Sequence, residues 1–158
     1  MILDAQMQFS SAQAVTADAV GTNVVDLFVD RSIGNGEAMG VLFVVTVDAD
    51  QTTGDEDYTF DVEFATDAAQ TTGRQLIGRR VFESGTPTAP AQNADLLVEG
   101  FSFVVPVPPT KLSESERYIG IRYDVTGTTP TITVTAYLTA LCNVDQNLIA
   151  YPNGYTVA

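Results

Sequence analysis

The sequence predicts an all-β fold: one antiparallel β-sandwich, jelly-roll-like, with an extended arm over residues 1–19, the sandwich over 20–141 and a docking tail over 142–158. Three observations carry this. Residues 118–138 hold two alternating segments, with Ile119, Ile121, Tyr123 and Val125 on one side of the first and Ile132, Val134, Ala136 and Leu138 on one side of the second. A period of two separates an apolar face from a polar one only on extended backbone. Across the turn Gly127-Thr128-Thr129-Pro130 the pair reads as a β-hairpin, which is marginal alone and needs a second sheet to cover it. Seven or eight such segments recur along the chain with turn signals between them and no long amphipathic helix. The connections over 84–95 and 107–116 are long enough to cross between sheets, which favours a jelly roll or related Greek key over an up-and-down barrel.

The elements follow in chain order. Residues 1–19 are rich in Ala, Gln and Ser, with apolar residues too irregular for a helix, and read as the arm. Residues 22–29 form the first credible strand, and Gly34-Asn35-Gly36 a turn that needs positive φ. Residues 38–48 hold the run Val41 to Val47, without alternation, which predicts a strand buried on both faces: a central strand, or one that also meets a partner. Residues 58–64 alternate strictly, with Tyr58, Phe60, Val62 and Phe64 inward and Thr59, Asp61 and Glu63 on the wet face. Residues 74–83 and 100–107 are further strands, the latter stopped by Pro106, Pro108 and Pro109. Residues 111–117 have capping-box spacing for one helical turn. In the tail, Asn153-Gly154 marks a tight turn, and Tyr151, Tyr155 and Val157 suggest docking.

The bulk numbers bound the function. A chain of 158 residues is one domain's length, and such a domain buries roughly 70% of its unfolded surface without a staple. Twenty acidic residues against seven basic ones give a net charge of −13. Phosphate binding needs a basic face, so nucleic acid is not an expected partner. No apolar run approaches a membrane span, so no membrane partner is expected either. The opening residues do not read as a signal peptide, and Cys142 has no second cysteine to pair with. Together these predict synthesis and use without passage through an oxidising compartment.

The chain contains no His. That removes the commonest general base and excludes Ser-His-Asp and Cys-His nucleophiles. No cofactor is expected, and no enzyme activity. Asp48, Asp50, Asp55 and Asp57, with Glu56, supply clustered carboxylates of the kind calcium takes, without EF-hand spacing, so a solvated acidic loop is the first reading. A glycosidase pair, Asp61 or Glu63 with Glu99, would need a cleft and a set separation that sequence does not show. Arg74, Arg79 and Arg80 gather three of the six arginines. They read either as surface ion pairs or as an interface. Met1, Ile2, Leu3, Phe9, Val45, Tyr151 and Tyr155 join those arginines as candidate interface residues.

The opening Met1-Ile2-Leu3-Asp4-Ala5-Gln6, then Phe9-Ser10, residues 12–16, Thr22-Asn23 and Asp26-Leu27 resemble the start of small capsid cement proteins of tailed bacteriophages, of the type described in a Bordetella phage. Arg31, Ile33-Gly34, Gly36-Glu37, residues 117–123 and the ending Asn153-Gly154-Tyr155 are similar to that family too. The resemblance implies a jelly-roll structural protein, made in the bacterial host cytoplasm, that sits on the outer surface of the virion's capsid. It implies a homodimer or homotrimer that bridges copies of the major capsid protein and stabilises the expanded shell. The rival reading is a virion β-sandwich module that binds carbohydrate or a host surface. It would use an exposed aromatic such as Tyr137, and the absence of Trp weakens it.

Overall fold

Alternating side chains force extended backbone, and these segments become nine strands among the described residues: β1 (Gln8–Val15), β2 (Ala19–Val20), β3 (Val25–Asp26), β4 (Met39–Val47), β5 (Asp57–Ala65), β6 (Gln75–Glu83), β7 (Ser102–Val107), β8 (Tyr118–Thr126) and β9 (Ile132–Ala140). The computed structural model describes residues 5–27, 38–84, 94–107 and 117–141. Most of the expected turn over 111–117, the 142–158 tail with Cys142, and most of the 84–95 connection lie outside them.

One sheet has the order β1-β9-β4-β7 and the other β2-β8-β5-β6, with β3 also pairing β8. All pairs are antiparallel. The partners nest: β1 takes β9, β2 takes β8, β4 takes β7 and β5 takes β6. This is the winding of a jelly roll, a long antiparallel ribbon wrapped so that alternate pairs fall in opposite sheets.

Two expectations change. The strands β8 and β9 are not a hairpin, because β8 lies between β2 and β5 in one sheet and β9 between β1 and β4 in the other. The turn between them is a corner. Gly127 there has φ 100°, and an added Cβ would meet the Asp55 carbonyl oxygen at 2.5 Å. Thr128 donates its N–H to Asp55 Oδ1 (3.1 Å) and its hydroxyl to Oδ2 (3.0 Å). The 52–57 loop and the 127–130 turn therefore brace each other. The arm over 1–19 is also corrected: residues 8–15 are β1, an integral strand, with Phe9 and Val15 in the core. Register shifts on either side of Ser10, and Ala12 at φ 45°, break the alternation that would have revealed it. The strand expected over 22–29 is described only as the two residues of β3.

The core is aromatic at its centre. Phe43 of β4 stacks on Phe103 of β7 at 5.1 Å between centroids, and Phe60 of β5 meets Phe43 and Phe103 from the opposite sheet at 5.4 and 4.9 Å. Tyr123 of β8 adds an edge contact to Phe60 at 5.8 Å. Such pairs contribute about 0.5–1.5 kcal/mol each beyond the area they bury.

Candidate interaction surface

The two sheets turn different chemistry outward. The four strands β1, β9, β4 and β7 contain no charged residue at all. The strands of the other sheet carry Asp26, Asp57, Asp61, Glu63, Arg79, Arg80, Glu83, Arg122 and Asp124.

On the uncharged sheet the register aligns outward residues in rows. Leu42 stands opposite Tyr137 on one side and Val104 on the other, and Val44 stands between Thr135 and Ser102. Val44, Val104, Thr135 and Tyr137 are half-buried, whereas Leu42 is buried. Leu141 lies on the same face: a Cβ on Gly40 would come within 2.5 Å of its Cδ2. The Tyr137 hydroxyl accepts a hydrogen bond from Gln8 Nε2 at 3.0 Å.

Val45, expected at an interface, points the other way. The strand β4 is central, and its alternation sends Val41, Phe43 and Val45 into the core, where Val45 is 1% exposed. The apolar run arises because Leu42 and Val44 occupy the outer face of the same strand. Phe9 is likewise a core residue, fully buried. Met1, Ile2, Leu3, Tyr151 and Tyr155 lie outside the described residues.

The outer face of the charged sheet is tied up in ion pairs. Asp61 is the cross-strand partner of Arg79 on β6 and of Arg122 on β8. Arg79 donates Nε to Asp61 Oδ1 (2.7 Å) and Nη2 to Oδ2 (2.6 Å). Arg74 grips Glu63 in the same bidentate way, at 2.9 and 2.6 Å, and Arg122 reaches Glu63 at 3.4 Å. These forks cover the carboxylates: Asp61 and Glu63, expected on a wet face, are only 2% and 3% exposed. Burial pushes the Glu63 carboxyl up, but the hydrogen bonds and charges of Arg74 and Arg122 outweigh it and hold the group below its ordinary range. Arg80, the third candidate, is exposed with its guanidinium 5.3 Å from the centre of the Phe82 ring, and makes no ion pair among the described residues.

The acidic loop does not gather its carboxylates. Asp48 accepts from Glu99 N–H, Asp50 from Thr52, Asp55 from Thr128, and Asp57 from Thr126. Glu56 is buried and takes the N–H groups of Thr53 and Asp55 at 3.2 Å each. Each carboxylate is taken up by its own hydrogen-bond donors, and among the described residues no three His, Cys, Asp or Glu side chains are placed to hold a metal ion together. No sequence signal marked the uncharged sheet as a unit, because its four strands are far apart in the chain and become neighbours only through the winding.

Compared with known proteins, the chain matches one family model, Bbp16, over residues 9–138. That span runs from Phe9 of β1 to Leu138 of β9 and so covers both sheets. No curated protein matches it.

Proposed function

We propose, from the premise that the chain belongs to the Bbp16 family, that it is a phage-associated structural protein and, more finely, a capsid cement protein without enzyme activity. In this reading it sits on the outside of a tailed-phage head, self-associates as a dimer or trimer, and bridges major capsid subunits to stabilise the expanded shell.

The observation that carries the reading is the uncharged sheet on a chain of net charge −13. A strongly acidic protein repels its own copies and any acidic lattice. A face free of charge is where close packing against another protein is least opposed. Four strands about 4.8 Å apart and about 30 Å long present several hundred Å², which approaches one side of a standard interface at roughly 800 Å². Binding only the assembled lattice then stabilises it by mass action, and several copies engaged at once give durable attachment from modest contacts.

The test is co-sedimentation of the purified protein with expanded, cement-free shells of its phage, with unexpanded shells and a glycan panel as comparisons. Saturable binding to expanded shells, at a copy number that fits the lattice symmetry, is the expected result. Retention on a glycan without shell binding would transfer the function to surface recognition and make Tyr137 the first residue to replace.

A further inference from the structure

Among the described residues the strand β6 is the edge of its sheet and pairs only with β5. It is nine residues long and without proline, and it carries Arg79, Arg80 and Glu83, charge being one of the devices by which natural edges are blunted. Only Phe82 on it is buried, and Leu76 and Val81 are 47% and 39% exposed. A register shift opposite Val62 and Glu63 places Leu76 across from Glu63, on the face that also carries Arg79 and Val81. Arg79 is neutralised there by Asp61. On the other side of the strand Arg80 lies over the Phe82 ring and has no ion pair among the described residues. A guanidinium without an ion pair among the described residues is unexpected in a chain with 20 acidic and 7 basic residues.

We infer that the open edge of β6 receives an extended segment of a partner protein, added as a further strand, that brings apolar side chains to Leu76 and Val81 and a carboxylate to Arg80. Strand addition supplies affinity through backbone hydrogen bonds and specificity through alternate side chains. The arginine fork supplies the directional contact. A second copy of this chain is the wrong occupant. Antiparallel pairing of β6 with itself about its centre sets Arg79 against Arg79 and Arg80 against Gly78, so the second strand brings no carboxylate to Arg80.

This rests on the cement reading, in which the partner is the shell. The experiment is hydrogen exchange of the full chain, free and bound to expanded shells, together with shell titrations of Arg80→Glu, Arg80→Lys and Leu76→Asp. Both positions are exposed, and thermal melts confirm that each variant is folded. The expected result is new protection of β6 amides on binding, with affinity lowered about tenfold or more in Arg80→Glu and Leu76→Asp and largely kept in Arg80→Lys. Attachment of the wild type with unchanged β6 exchange and unaltered variants overturns the edge assignment while leaving attachment standing. Failure of the wild type to attach overturns the cement reading and this inference with it.

Discussion

The hydroxyls of Ser10 and Tyr123 meet at 2.7 Å inside the sandwich, both residues almost fully buried. One belongs to β1 and the other to β8, so this single hydrogen bond ties the two sheets together. Burial pushes the Tyr123 hydroxyl's ionisation well above its ordinary value, with the Ser10 bond opposing. Removing one partner leaves the other buried without it. Tyr123→Phe and Ser10→Ala are each expected to lower stability by about 1–3 kcal/mol. Urea unfolding of the two single variants and the double variant checks this, and the double is expected to cost less than the sum.

The corner between β8 and β9 depends on Gly127. An alanine there carries a side chain at φ 100° and presses on the backbone of Asp55 and Glu56. Gly127→Ala is expected to cost about 2 kcal/mol or more, because neither the turn nor the backbone beneath can yield cheaply. Equilibrium unfolding measures it. A loss below about 0.5 kcal/mol, the ordinary scale of a neutral surface change, would contradict the bracing between the two loops.

Neighbouring valines on β4 are expected to part company. Val45→Asp buries an unpaired carboxylate in the core and is expected to cost on the order of 4–5 kcal/mol or to prevent folding. Val44→Asp places the charge on the outer face, leaving the fold intact while weakening association through that face. Thermal melts and shell titrations separate the two effects.

Asp124 controls a pH dependence. The pairing of Ala19 with Tyr123 and Val20 with Arg122 brings Asp18 opposite Asp124, and Val125 N–H donates to Asp18 Oδ1 at 3.1 Å. Burial first, then the Asp18 hydrogen bond and the charges of Asp18 and Asp61, raise the Asp124 carboxyl above its ordinary value, against the pull of Arg79. A raised carboxyl favours the protonated folded state. Its contribution is therefore fully present below the ordinary carboxylate range, about pH 3.9, and is lost as pH rises through the folded value. Asp124→Asn is expected to melt higher than the wild type at neutral pH, with the advantage vanishing as pH falls below the carboxylate range. A constant difference across a melting series from acid to neutral would refute it.

The sequence by itself determined that the fold is all-β and sandwich-like. The inward faces of β5, β8 and β9 were legible too, because alternation is a local period that any extended strand must display. It also showed the acidity, the missing histidine and the gathering of arginines near β6. It misjudged β1, whose bulge breaks the period, and it read β8 and β9 as a hairpin because a corner and a hairpin share one alternation. Nor does an apolar run have a phase: only the placement of β4 between β9 and β7 decided that Val45 faces the core and Val44 the outside. The pairing of Asp61 with Arg79 and of Glu63 with Arg74, and the collection of four uncharged strands into one sheet, were decided by tertiary structure alone. Register and winding join residues far apart in the chain, and no local pattern encodes which distant strand lies alongside.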